Sequence, residues 1–177
     1  RYICTPRVSK HRIFVWLNHE VLPDSAVVAI ARSDDYFIGI LHSKLHELWA
    51  RATGTQLREA ESGFRYTPSS TFETFPFPWP PGQEVDSVTV DWIALAAKNL
   101  VEMRERWLSA APSGLRPPPP NTDEVQSVFG GGRVGAGSAR TLTNLYNQRP
   151  TWLDLAHKEL DAAVFSAYGW PENLSDE

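Results

Sequence analysis

At 177 residues, 42% of them hydrophobic and 21% charged, the chain has the size and balance of one sizeable soluble domain, or of one domain plus a smaller appendage. Its single cysteine, Cys4, excludes an internal disulfide framework and a cysteine-rich zinc site. It contains no apolar run of membrane-spanning length and no export leader, so a cytoplasmic location and no membrane partner are expected.

The net charge of −4 argues against an obligate nucleic-acid binder, yet it conceals an asymmetry. Residues 1–72 carry nine Lys or Arg against seven acids, whereas residues 73–177 carry eight against fourteen. Phosphate contact needs only a local basic face, and Arg7, Lys10, His11 and Arg12 are close enough in sequence to supply one. The same residues also suit a solvated strand edge, where cations block unwanted pairing. The text begins at Arg1 in a run that already reads as a strand, which is expected of a piece of a larger protein.

Arg1 to Val8 and Arg12 to Leu17 are short β-branched and aromatic runs that predict two strands. Ala26 to Ala31 is a continuous apolar run, the pattern of a strand buried on both faces. These three are expected to form a small sheet. Ser33 as N-cap, with Asp34 and Asp35 in the first turn, starts a short helix through Leu41. Ser43 caps a second helix, Lys44 to Ala52, which ends at Gly54 as a C-cap glycine would. Leu41, Leu45, Leu48 and Trp49 recur at helical spacing and are expected in the core.

Thr55 to Gly63 is polar and loop-like, and Phe64 to Thr67 predicts a short strand. In RYTPSSTFETFPFPWPP, Arg65 to Pro81, four prolines remove backbone donors and fix φ, so helix is excluded and an extended aromatic arm is expected. Phe72, Phe75, Phe77 and Trp79 would be its structural supports, holding the polar run before it at a surface. Val88 to Leu108 is the clearest helix, with Val90, Ile93, Ala97, Leu100, Val101, Trp107 and Leu108 on one side. Pro112 to Ser138 is a Pro- and Gly-rich composition break expected to be a connector. Beyond it, Thr141 to Tyr146 predicts one or two helical turns. Thr151 with Asp154 reads as a capping box for a final helix ending at Gly169, with Leu153, Ala156, Leu160, Ala163, Val164 and Ala167 inward.

The fold class predicted is mixed α+β: a small sheet with packed helices, followed by a helical carboxy-terminal segment. Its divisions are residues 1–84, the long helix 85–111, the connector 112–140 and the segment 141–177.

No constellation reads as a complete active site. Gly130, Gly132 and Gly135 match G-x-G-x-x-G but follow a connector and not a strand, so linker is the reading. His42 and His46 stand four apart with Glu47 beside them, but no third ligand is evident; exposed helix histidines, or ones that meet phosphate, are expected, and no metal. No serine sits in a G-x-S-x-G elbow. The loop Gln56 to Ser70 carries Arg58, Glu61 and Arg65 among Gln, Ser and Thr. These are the residue types that base-edge readout demands, since Arg reads guanine bidentately, Gln reads adenine and Glu accepts from cytosine.

The succession VVAIAR, DDYFIGILHSKLHELWA and RYTPSSTFETFPFP resembles the target recognition domain of the large adenine-specific DNA methyltransferases of restriction-modification systems, most closely the MmeI-like type IIG and IIL group. TLTNLYNQRPTWLDLAHKELDAAVFSAYGWP is similar to the carboxy-terminal helical segment of the same proteins. The resemblance covers residues 1–80 and 140–172. It implies a DNA sequence-recognition module of an N6-adenine-specific methyltransferase, with double-stranded DNA and the methyltransferase domain of the same parent chain as partners. The family's N-P-P-Y-type motif and S-adenosylmethionine site do not occur in these residues, so no cofactor and no catalysis are expected in this part. Within the resemblance, Arg7, Lys10, His11 and Arg12 would contact the DNA backbone. Arg58, Glu61, Arg65, Thr67, Ser69 and Ser70 would form the base-reading face. The rival reading of the residues is a protein-interaction module in which DNA plays no part.

Overall fold

The computed structural model of the chain describes residues 1–56, 63–85, 87–110 and 140–171. Its architecture is mixed α+β. Strands β1 (Tyr2–Pro6), β3 (Val15–Leu17) and β4 (Val27–Ile30) form one antiparallel sheet in the order β3-β1-β4. The predicted three-strand sheet is therefore present, with β1 at its centre: Ile3 faces Trp16 on one side and Ile30 on the other. β4 is an edge strand on which Ala29 is exposed, so its apolar run does not mark a strand buried on both faces. A second, smaller antiparallel sheet joins β2 (Val8–Ser9), β6 (Phe64–Arg65) and β5 (Thr55–Gln56), in the order β2-β6-β5.

Arg7 is the junction between the two sheets. Its N–H donates to Ala26 O at 2.8 Å, next to β4, and its carbonyl accepts from Tyr66 N at 2.7 Å, just past β6. Main-chain bonds thus fix the orientation of the small sheet on the large one.

Helix α1 (Asp35–His42) is capped by Asp34, whose carboxylate accepts from Phe37 N at 2.9 Å, one residue later than the predicted Ser33. Helix α2 (Lys44–Thr53) has the predicted Ser43 cap. Gly54 does end α2, but in an extended conformation; a Cβ there would lie 2.6 Å from Ala50 O and 2.9 Å from Arg65 O, so close approach to β6 is what requires glycine. Leu41 is buried in the predicted stripe, whereas Leu48 is 43% exposed and takes no part in the core.

Helix α3 (Val88–Ser109) follows the predicted span and buries Ile93, Ala97 and Leu100 against α1 and the final helix. Helix α4 (Leu142–Gln148) is capped by Thr141, and helix α5 (Thr151–Ala167) is the last helix among the described residues. No capping box forms at the start of α5. Thr151 is already inside the helix, Pro150 precedes it, and the Asp154 carboxylate is held by Arg149 Nε instead. Ile3, Phe37, Phe75, Leu100, Leu145 and Leu160 share one hydrophobic core, so both ends of the chain stabilise the same interior. The connector 112–138 and its glycine motif lie outside the described residues.

The aromatic arm departs from its sequence reading in one respect. Pro68–Phe72 forms a π-helical turn, closed by Glu73 N donating to Pro68 O at 2.9 Å. Proline is compatible with the first turn of a helix, where its missing N–H has no partner to lose, and the prolines that do forbid helix begin at Pro76. The predicted supports are in place: Phe37 and Phe77 stack at 5.3 Å, Phe75 meets His46 edge-on at 4.9 Å, and Trp79 lies against Tyr36.

Candidate nucleic-acid interface

The second sheet presents an outward row. Val8 and Thr55 both pair with Arg65 across the strands, and all three residues are exposed. Beneath that row the next register position is closed, because Phe64 is fully buried and Tyr66 beyond Arg65 is buried too. The alternation of a strand thus turns Arg65 outward by fixing its two neighbours inward.

Arg12 is the post under this platform. It is 6% exposed, with its guanidinium carbon 4.8 Å from the Phe64 ring and 5.0 Å from the Tyr66 ring. It donates to Thr5 Oγ1 at 3.2 Å, to Phe64 O at 3.1 Å and to Pro6 O. Burial lowers its pKa to about 10. The expectation that Arg12 meets the DNA backbone is corrected here: its donors point into the protein, where they satisfy main-chain carbonyls at the meeting of both sheets.

The other basic residues lie at the surface. Arg7 is half-buried and donates through Nε to Ser25 O at 2.6 Å. Lys10 is exposed, and Lys10 Nζ and His11 Nε2 each lie 2.9 Å from Asn147 Oδ1. Nothing local in the sequence announces that contact, which joins positions 136 and 137 residues apart.

Arg58 and Glu61 lie outside the described residues, in the stretch that connects β5 to β6. The return from that stretch is constrained by Gly63, whose φ is 83° and whose hypothetical Cβ would fall 2.1 Å from Ser9 O. Only glycine allows the chain to pass so close to β2 in that conformation.

Past β6, Thr67, Ser69 and Ser70 belong to the π-helical turn or its cap and not to an extended run. Ser69 is exposed. The Thr67 carbonyl accepts from Ser70 N at 3.1 Å, Thr71 N at 2.8 Å and Thr71 Oγ1 at 2.7 Å. The Ser70 hydroxyl donates back to the same carbonyl at 3.4 Å. Arg65 and Ser69 are exposed and Thr67 is half-buried, while the Ser70 side chain is turned back on its own turn.

His42 and His46 are buried, at 6% and 0% exposure, and neither is a surface or phosphate-facing histidine. His46 Nδ1 lies 3.0 Å from Leu41 O and Nε2 lies 3.0 Å from the Tyr66 hydroxyl; burial lowers its pKa to about 3. His42 receives Arg104 Nη1 at 3.0 Å, and Arg104 also donates to Phe14 O and to the Tyr146 hydroxyl. Burial, then Arg104, holds the His42 pKa well below its ordinary value. Sequence reading passes over Arg104, whose three partners come from three other parts of the chain. Among the described residues no group of three His, Cys, Asp or Glu is arranged to hold a metal ion, and no helix is long and apolar enough to cross a membrane.

Comparison with known proteins places this architecture. The solved structure of the type IIL restriction-modification enzyme MmeI in complex with DNA superimposes on 98% of this chain with a TM-score of 0.69 and 23% identity. DNA methyltransferase A of Bacillus subtilis (strain 168) is 25% identical over 160 residues, 89% of this chain. The chain spans 19% of the former and 14% of the latter. Residues 2–79 match the family described as MmeI, target recognition domain, and this part of the chain is a domain of that family.

Proposed function

We propose that this chain is the DNA sequence-recognition module of an N6-adenine-specific methyltransferase in a restriction-modification system. Arg7, Lys10 and His11 contact the phosphate backbone and set register, while Arg65, Thr67 and Ser69, with Arg58, Glu61 and Ser70, supply the base-reading face. The observation that carries this reading is the outward Arg65 on a strand whose neighbours, Phe64 and Tyr66, are locked in the core. A bidentate donor on a rigid support is what groove readout requires, because a mobile one loses affinity to ordering entropy. The methyltransferase domain of the same parent chain is the second partner, and it binds S-adenosylmethionine and performs the chemistry; the module aims it.

The test is a duplex titration of the 177-residue chain across a salt series, with methyl transfer from S-adenosylmethionine assayed in parallel. Binding whose affinity falls steeply with salt, and no turnover, is the expected result. Methyl transfer by the chain alone would overturn the division of labour.

A specific observation favours a protein-contact role as well. Val88, Trp92 and Leu95 lie on one face of α3 at helical spacing and are 85%, 36% and 66% exposed. If the chain shows no duplex affinity even at low salt, that face, and not the small sheet, is the working surface.

A further inference from the structure

We infer that the end of helix α4 is part of the DNA-contact surface, with Asn147 and Gln148 donating to backbone phosphates beside Lys10 and His11. This rests on the DNA-reading role proposed above, and it extends the contact surface beyond residues 2–79, the span of the family match.

The orientation of the Asn147 amide is decided by its neighbours. Lys10 Nζ, at 2.9 Å, has only donors, so the amide atom facing it must be the oxygen. The same oxygen receives His11 Nε2 at 2.9 Å. With Oδ1 turned to Lys10 and His11, the two N–H donors of Nδ2 lie on the other branch of the amide, away from that oxygen. Asn147, Gln148 and Arg149 are all exposed, so these donors lie at a surface that already carries Lys10.

The placement is rigid. Leu142 and Leu145 are buried, and the Tyr146 hydroxyl lies 3.0 Å from His157 Nε2 and accepts from Arg104 Nη1 at 3.3 Å. α4 therefore holds its last turn in place before any partner arrives, which lowers the ordering cost of a contact. A helix C-terminus carries roughly half a negative charge, which by itself disfavours phosphate. Lys10 and Arg149 bring full positive charges to the same end of the helix and reverse that sign, although Arg149 shares its charge with Asp154. Amide and guanidinium donors of this kind are the usual partners of phosphate oxygens.

The experiment is a salt-dependent duplex titration of the full chain and of Asn147→Asp, Gln148→Glu and Arg65→Ala. Asn147→Asp keeps the oxygen that Lys10 and His11 bind, so the link between the segments and the thermal midpoint are retained, while the outward donors become a carboxylate oxygen. We expect it to weaken binding about tenfold and to reduce the dependence on salt by about one ion, with Gln148→Glu acting in the same direction. Arg65→Ala is expected to lower preference among sequences and leave the salt dependence nearly intact. Asn147→Asp and Gln148→Glu that bind as the parent does would overturn the inference and leave the recognition role standing. A parent chain that binds no duplex at low salt would remove both.

Discussion

The Tyr66 hydroxyl donates to His46 Nε2 at 3.0 Å, and through this bond the strand that carries Arg65 stands on helix α2. Leu41 O can only accept, so His46 Nδ1 carries the ring proton and Nε2 is left to accept from Tyr66. Both residues are fully buried. Tyr66→Phe removes the donor and leaves a buried ring nitrogen without a partner, which costs about 1–3 kcal/mol. A urea midpoint that falls accordingly, at unchanged slope, is the expected outcome; an unchanged midpoint would show that the bond supports nothing.

Gly63 separates two kinds of strain. Gly63→Ala meets both a positive φ and a Cβ 2.1 Å from Ser9 O, whereas Gly82→Ala meets a φ of 86° with no atom within 4 Å. The second substitution should cost about 1–2 kcal/mol, the price of left-handed backbone alone. The first should cost several times that and detach β2 from β6. Hydrogen exchange at the Tyr66 amide, which bonds Arg7 O, reads the difference directly.

Arg12 and Lys10 are two residues apart and should respond oppositely. Arg12→Met removes the buried donors to Phe64 O and Pro6 O and should lower the thermal midpoint markedly, as loss of a buried network does. Lys10→Ala, at an exposed position, should leave stability within about 0.5 kcal/mol and reduce the salt dependence of duplex binding by about one ion. The pair of measurements sorts support from contact.

Acid should destabilise the fold, and the sign follows from four groups shielded from water, His42 and His46 buried and His157 and Asp161 half-buried. Burial holds His42 well below 6.5 and takes His46 to about 3 and His157 to about 4. Their contribution is complete above the unfolded value of 6.5 and is lost as pH falls through it, since the unfolded chain then binds protons that the native one refuses. Asp161 acts the other way: burial raises it to about 6, so the native state gains from protonation between 6 and the unfolded 3.8. Three histidines outweigh one carboxyl. The thermal midpoint should therefore fall between about pH 7 and about pH 4.5, each unmatched proton contributing about 1.4 kcal/mol per pH unit. Asp161→Asn keeps an acceptor for Lys44 N, 2.7 Å away, removes the opposing contribution and should steepen the fall.

What was legible in the sequence follows periodicity and capping. The Ser43 cap, the span of α3 and the inner face of α5 are all local patterns, and so is the small first sheet. The candidate face is proposed from a neighbourhood, the polar run before a constrained aromatic arm. What stayed hidden depends on partners distant in sequence. Arg12, His42 and His46 read as surface residues because polar side chains usually are, and their burial is compensated by partners such as Phe64, Phe14, Leu41 and Tyr66; Arg104 carries no local signal at all. The turn at Pro68 is obscured because proline removes a donor and yet permits a helix start, and a linear pattern shows only the first. The Asn147 contact has no signature that a linear reading could detect.

Arg7 has a consequence for how this platform tolerates change. At Arg7 the small sheet is tied to the large one by two main-chain hydrogen bonds, beside the buried Arg12 side chain, and peptide groups are common to every amino acid except for the N–H that proline lacks. Replacing the Arg7 side chain therefore leaves the suspension itself in place, and so does exchanging outward neighbours such as Arg65 or Ser69. The aim of the surface is inherited from the main chain and from buried side chains, and its outward chemistry can be rewritten independently.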